Sequence, residues 1–317
     1  MRNQLIIAAL VAFLISIVLG PVILPILRKI KAGQTEREDG PESHLKKTGT
    51  PTMGAFIYLI SAFCVCAFQI KKYPDIGPAL LLVVGFMLIG FLDDFIKVVL
   101  KRSLGLRAWQ KFSLQIVVSL VYALYLKSNT PELFDMIIPF TNKTINWGWL
   151  AIPATIFIIV GTVNGSNFTD GIDGLETSVT SSMLAFFILA SIGVSEPVGM
   201  VSAIFLGALL GFLMFNVNKA KVFMGDTGSL ALGALVCGLA FSLRLPLYLP
   251  IIALIYFAEV LSVIIQVLYF KATKGKRFFK MAPIHHHFEL SGWSEPKVVA
   301  VFATVTLVLG AFVLLFI

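Results

Sequence analysis

"LAIPATIFIIVGTVNGSNFTDGIDGLETSVTSSMLAFFILASIGV", residues 150–194, sets the reading of the whole chain. Two apolar runs flank the polar segment 164–175, "NGSNFTDGIDGL", which holds two aspartates, two asparagines and three glycines but no lysine or arginine. A water-soluble core has no need for long apolar runs on both sides of an acidic turn. Two membrane spans joined at the membrane surface produce that pattern directly.

Working outward, the pattern recurs. The 317 residues are 58% hydrophobic and only 13% charged, and mean hydropathy is +0.92, well beyond what burying a soluble core requires. Apolar runs fall near residues 4–27, 52–70, 77–97, 110–126, 148–164, 177–193, 197–217, 227–243, 247–270 and 298–317. Backbone groups in lipid must be paired within the chain, and these runs lack the ten-residue alternation of a barrel. The expectation is an all-α membrane protein of about ten transmembrane helices. No soluble domain or low-complexity linker interrupts it, so 1–317 reads as a single integral-membrane domain.

Charge orients the expected bundle. Of 25 Lys and Arg, 19 fall in alternate loops (28–50, 97–111, 218–225 and 271–297), leaving Arg2, Lys71, Lys72, Lys127, Lys143 and Arg244 on the other side. The positive-inside rule puts the first set in the cytoplasm and both termini outside, giving five cytoplasmic loops. Twelve of 17 acids and all four histidines lie in or beside those loops, so the active surface is expected there. A transporter would instead show several ionisable groups at mid-membrane and a repeated hydropathy pattern. Only Glu259 lies deep in a run, and no repeat stands out. The net charge of +8 suits anionic lipid or an anionic substrate, and no motif points to nucleic acid. Cys64, Cys66 and Cys237 lie inside apolar runs and read as packing residues.

Five segments carry chemistry. In "GFLDDFIKVVLK", Asp93 and Asp94 stand four and three residues before Lys97, so one helix end gathers two carboxylates and an ammonium; Lys111 starts the next run. A solvated helix end with an intrahelical ion pair is the plain alternative. In the opening segment, Asn164, Asn167, Asp170 and Asp173 recur every three residues. Each such step turns about −60° around a helix, so the four would fan over half its circumference. A helix ending near Asn167, followed by a glycine turn that folds the acids back, lets them share a site. An EF-hand is excluded, because its ligands alternate by two. In "FMGDTGSLALG", Asp226 opens a helix, either as a cap or as a carboxylate for a divalent cation shared with phosphate. In "KMAPIHHHFELSGW", His285, His286 and His287 are consecutive and diverge on a helix, which suits polar contacts with phosphate or sugar better than one metal. In "HLKKTGTPTMGAF", Lys46 and Lys47 precede a turn able to close over a phosphorylated ligand. No Walker A loop or GxSxG nucleophile is present. Phosphoryl transfer, which needs positioning and charge neutralisation above all, fits the set.

DDxxK at 93–97, NxxNxxDGxDGL at 164–175, FMGDxGSL at 223–230 and MAPxHHHFE at 281–289 together resemble the phospho-N-acetylmuramoyl-pentapeptide transferases. These enzymes belong to the polyprenyl-phosphate N-acetylhexosamine 1-phosphate transferase superfamily. The acidic motifs are shared across the superfamily, whereas the triple histidine and KxGTPTMG point to this member. The resemblance implies Mg²⁺-dependent transfer of phospho-MurNAc-pentapeptide from UDP to undecaprenyl phosphate, giving lipid I and UMP. It implies ten helices with a bent ninth, a homodimer in the bacterial inner membrane, and sensitivity to nucleoside inhibitors. By motif, Asp226 is the metal ligand, Asp93 the residue acting on the lipid phosphate, and Asp94 and Lys97 its neighbours. Lys111, Asp170, Asn164, Asn167 and Asn216 are further site residues. Phe223 and Asp173 are the uracil pair. Lys47, Thr52, Gln266, His285, His286 and His287 form the wall toward the nucleotide sugar. Ala55 stands where the family usually has a second glycine, and Val301 where it usually has arginine. Two other readings share part of the pattern: a sibling transferase using UDP-GlcNAc, and a lipid-linked transporter or flippase.

Overall fold

The computed structural model describes residues 2–30, 49–102, 104–141 and 143–317. Each of the ten apolar runs folds as helix. The first four are α1 (Arg2–Lys29), α2 (Ala55–Gln69), α3 (Gly77–Val98) and α4 (Ala108–Asn129). Then come α5 (Ala151–Thr169), α6 (Leu175–Ala190), α7 (Glu196–Asn216) and α8 (Asp226–Ser242). The ninth run is broken at Ala253 into α9 (Leu249–Ile252) and α10 (Leu254–Ala272). A short α11 (Ile284–Glu289) and α12 (Glu295–Val313) complete the chain. Among the described residues, six helices are long and apolar enough to cross a membrane, and α2, α6 and α8 are shorter apolar helices.

One small sheet was not foreseen. Strands β1 (Asp135–Ile137) and β2 (Thr144–Asn146) pair antiparallel, with Asp135 opposite Asn146. The β-branched residues on either side of a polar turn suit a hairpin. The hairpin is tied to the α8–α9 connection, where Arg244 Nε donates to the Asp135 carbonyl at 2.7 Å and the Ile137 N–H donates to the Arg244 carbonyl at 2.9 Å.

The bundle is arranged around α8. Every residue from Thr227 to Phe241 is buried, and α2, α3, α5, α6 and α7 all contact it. Small residues permit this enclosure. A side chain at Gly233 would strike the α5 backbone at Val163, and one at Gly238 would meet Ala79 of α3 at 3.0 Å. Helices in lipid gain little from hydrophobic exclusion, so close approach of this kind supplies much of the packing energy. The outer helices reverse the soluble pattern. On α1, Ile6, Ile7, Leu10, Leu14, Val18 and Val22 all point outward, while Ser16 is buried and donates to the Ala208 carbonyl. That arrangement suits a multi-pass membrane protein.

Alternation of direction brings the C-terminal ends of α3, α5, α7 and α10 to the same end of the bundle as the N-terminal ends of α4, α6 and α8. The conspicuous polar motifs converge there.

Candidate functional site

The N-terminus of α8 is the centre of the site. Gly225 precedes it with φ +80°, and no side chain of its own segment caps it. The cap comes from α3. Asp94 accepts from the N–H of Asp226 at 3.2 Å, and its other oxygen accepts from the N–H and hydroxyl of Thr227 at 2.8 and 2.6 Å. A carboxylate is stabilised by the free N–H groups and dipole of a helix start. Asp94 is therefore occupied in fixing α8 against α3, and Asp226 is the residue so fixed. The approach is close because Gly90 has no side chain, so α3 passes directly over the Asp226 carbonyl.

One turn of paired charges follows. Lys97 Nζ lies 2.6 Å from Asp93 Oδ2 and 2.8 Å from Asp226 Oδ2, so the i,i+4 pair expected on α3 reaches across to α8. Lys111 of α4 approaches the same Asp226 oxygen at 3.0 Å and donates to Asn167 Oδ1 at 3.2 Å. Asn167 Nδ2 lies 2.9 Å from Asp226 Oδ1 and 2.8 Å from Ser229 Oγ. The second oxygen of Asp93 accepts from the Leu106 N–H at 2.7 Å, holding the α3–α4 loop over the cluster. Gly105 is obligatory there: its φ is +57°, and a Cβ would lie 2.5 Å from Asp93 Oδ1.

The glycine turn follows the expected course. Helix α5 ends at Thr169, two residues beyond Asn167, and Asp170 to Gly174 turn back before α6 begins. Asp170 is half-buried at the start of that turn. Burial pushes its carboxyl well above the usual carboxylate range, the charges of Glu176, Asp226 and Asp94 add to the shift, and the backbone at Gly225 opposes it. Asp173 faces the other way, accepting from the Ala220 N–H at 2.9 Å on the loop that carries Phe223. Phe223 is half-buried, and its N–H donates to the Pro51 carbonyl at 2.8 Å while its carbonyl accepts from the Gly54 N–H at 2.8 Å. The entry to α2 thus pairs with the approach to α8. Thr52 is buried beside Gly225, and Ala55 is accommodated because its methyl faces Gly228.

Other expected residues are placed less directly. Asn164 lies one turn deeper on α5 and exchanges amide contacts with the buried Gln115 of α4, at 2.8 and 3.5 Å. Asn216 is buried, accepting from Thr177 at 2.8 Å and donating to the Val222 carbonyl at 3.1 Å, so it shapes the Phe223 loop. Gln266 accepts from the N–H groups of Phe278 and Phe279 at 3.1 and 2.9 Å. His286 pairs with Glu289 at 2.8 Å, and His287 Nδ1 accepts from the Lys280 N–H at 3.2 Å. His285 is 1% exposed and meets Glu259 at 3.1 Å. Lys47 lies outside the described residues.

Gln115, Ser166, Glu176, Thr180, Ser229 and Tyr256 escaped the sequence reading. Glu176 Oε1 accepts from Ser166 at 2.6 Å, Thr180 at 2.9 Å and Tyr256 at 2.6 Å, in a buried network behind Asn167. For Gln115 a signal existed, since it is a polar residue within an apolar run, one turn after Lys111.

The cluster fits a divalent cation. Oxygens of Asp93, Asp94 and Asp226 can be chosen that lie within 4.8 Å of one another. These three carboxylates face the two ammoniums of Lys97 and Lys111, a formal surplus of one negative charge. An all-oxygen donor set with that surplus suits Mg²⁺, which is commonly held by one or two carboxylates together with substrate phosphates.

The chain is similar to known proteins along nearly its whole length. The family model for glycosyl transferase family 4 matches residues 77–244, from the start of α3 to the end of α8. The phospho-N-acetylmuramoyl-pentapeptide-transferase of Clostridioides difficile (strain 630) is 51% identical over 310 residues, covering 97% of this chain and 96% of that protein. Its counterpart from Acetivibrio thermocellus is 49% identical over 304 residues, covering 95% and 91%. That from Caldanaerobacter subterraneus subsp. tengcongensis is 48% identical over 311 residues, covering 97% of each.

Proposed function

The chain belongs to the phospho-N-acetylmuramoyl-pentapeptide-transferase family, and from that premise we propose how its residues divide the reaction. The protein is a phosphoglycosyl transferase of peptidoglycan synthesis, moving phospho-MurNAc-pentapeptide from UDP to undecaprenyl phosphate. The observation that carries the division of labour is the joining of Asp93, Lys97, Lys111, Asn167 and Asp226 around one helix start.

Asp226 would hold Mg²⁺, with Asp93 and Asp170 beside it. When bound, the ion neutralises phosphate charge and stabilises the departing UMP. Asp93 faces the lipid phosphate and takes up any proton it carries. An oxygen of that phosphate then attacks the β-phosphorus of the nucleotide sugar. The bond from β-phosphorus to the bridging oxygen breaks, the electron pair leaves with UMP, and a new diphosphate links lipid and sugar. Lys97 and Lys111 balance the cluster and screen the incoming phosphates. Asp94 contributes through the α8 start that it caps. Asp173, on the 170–174 turn, and Phe223, on the loop that donates to it, take the uracil by hydrogen bonding and stacking. Thr52, Asn216, Gln266, His286 and His287 form or support the rim toward the sugar, Lys47 is assigned to substrate binding by its motif alone, and His285 lies behind the rim. Nucleoside inhibitors of the family would occupy the same wall.

The whole chain acts as one domain, in the bacterial inner membrane, with this end in the cytoplasm and both termini outside, as a homodimer. A soluble nucleotide sugar and a lipid phosphate can meet at such a surface. The decisive test compares UDP-MurNAc-pentapeptide with UDP-GlcNAc, using purified protein, undecaprenyl phosphate and Mg²⁺. UMP release from the first alone is expected. Release from UDP-GlcNAc alone would assign the chain to the sibling activity, and movement of lipid-linked sugar without UMP release would assign it to transport.

A further inference from the structure

Outside the phosphate cluster, Glu259 and His285 form a deeply buried titratable pair. Glu259 is 0% exposed on α10, and His285 is 1% exposed on α11. Glu259 Oε2 and His285 Nδ1 are 3.1 Å apart. The remaining atoms, Glu259 Oε1 and His285 Nε2, are buried with no hydrogen-bond partner among the described residues. Burying two such groups together is costly unless the geometry serves something. The far side of the ring shows what that is. A side chain at Gly171 would run into His285 Nε2 and Cε1 before any other atom. Gly171 follows Asp170 directly, stands two residues before Asp173, and has ordinary negative φ. Its lack of a side chain therefore answers to the histidine ring and not to backbone conformation. The ring thus fills the space beneath the turn that carries both acids, and Glu259 holds it from below.

We propose that Glu259 and His285 are positioning residues. They form a strut from α10 through the histidine ring to the 170–174 turn, and so set the placement of Asp170 and Asp173 in the site. The Nδ1–H of His285 donates to Glu259, which fixes the plane of the ring and leaves Nε2 against the turn. This rests on the reading of Asp170 and Asp173 as substrate-facing groups. It also separates the three histidines, with His285 acting through the turn and His286 and His287 lying on the accessible side.

A double-mutant cycle on detergent-solubilised, full-length protein tests the strut, using UMP release from UDP-MurNAc-pentapeptide and undecaprenyl phosphate. Glu259→Leu should lower kcat/KM for the nucleotide sugar at least tenfold, with KM for the lipid phosphate unchanged. Glu259→Gln, whose amide oxygen accepts the same N–H, should stay within about threefold of wild type. Gly171→Ala should lose about as much as Glu259→Leu, and the double variant no more than either alone, because one contact is broken in all three. Losses that multiply, or a folded Glu259→Leu with wild-type constants, would overturn the proposal. If Glu259→Leu fails to fold, nitrogen-15 spectra of histidine-labelled wild-type protein decide. The resonance assigned to His285 by its loss in His285→Asn should show the proton on Nδ1, and a proton on Nε2 alone refutes the strut. That reading does not depend on activity, so wild-type protein releasing no UMP would count against the proposed reaction and leave the strut to be judged by the spectrum.

Discussion

Gly90→Ala is the most exacting perturbation of the site, because it touches no polar group. A Cβ at residue 90 would fall against the Asp226 carbonyl and within 2.6 Å of the Thr227 nitrogen, whereas ordinary contact begins near 3.4 Å. Both neighbours are backbone, so no side chain can rotate away. Helices α3 and α8 must part by at least about 0.8 Å, since the carbonyl lies closer still than the nitrogen, and overpacking of this kind costs roughly 1–3 kcal/mol. The larger effect is chemical. Lys97 Nζ is 2.8 Å from Asp226, and Asp94 caps α8 at 2.8 to 3.2 Å. A 0.8 Å separation takes these bonds beyond the usual limit of about 3.2 Å. Displacement of this size in a positioned site can reduce rate about 100-fold. The assay is steady-state UMP release beside thermal unfolding in the same detergent. The expected result is a protein that folds, melts somewhat lower, and turns over about 100-fold more slowly. A variant with more than half the wild-type kcat would refute the idea that backbone contact at Gly90 sets the geometry of Asp226.

Asp94→Asn removes the charge from the α8 cap and should cost about 2 kcal/mol, seen as a lower melting temperature that added Mg²⁺ does not restore. Gln115→Leu removes the acceptor for Asn164 without touching the charged cluster, so kcat should fall about tenfold while KM for Mg²⁺ stays constant. Incubation with UDP-MurNAc-pentapeptide and Mg²⁺ but no lipid phosphate should leave the protein mass unchanged by intact-protein spectrometry. A covalent phospho-sugar adduct would replace direct transfer with a two-step route through an aspartyl phosphate.

The fold was largely legible because lipid imposes a simple code. Long apolar runs must become helices, and each of the ten did. The hairpin at 135–146 was missed because three-residue strands leave almost no periodic trace. The 164–175 segment was legible for a geometric reason: three-residue spacing cannot converge from a straight helix, so the turn at Asp170–Gly174 was required before it was seen. Asp94 and Asp226 show the limit. As residues they read alike, as acids at helix ends, yet one caps the other's helix from 132 positions away in sequence. Such division of labour depends on which helices become neighbours, and so do the Gln115–Asn164 and Glu259–His285 pairs, whose partners lie on different helices. Gly90 carried no signal at all, since its meaning lies in the backbone it lets pass.

The central claim is that Asp226 at the start of α8 organises a cation-dependent transfer of the phospho-sugar. It is tested most directly by counting UMP released per lipid-linked sugar formed, with and without Mg²⁺, for wild type and Asp226→Ala. The account predicts one UMP per lipid product for wild type with Mg²⁺, and none after chelation until Mg²⁺ is restored. It predicts no product from a folded Asp226→Ala at any Mg²⁺ concentration. Near-normal turnover by Asp226→Ala, or by wild type in excess chelator, would contradict it.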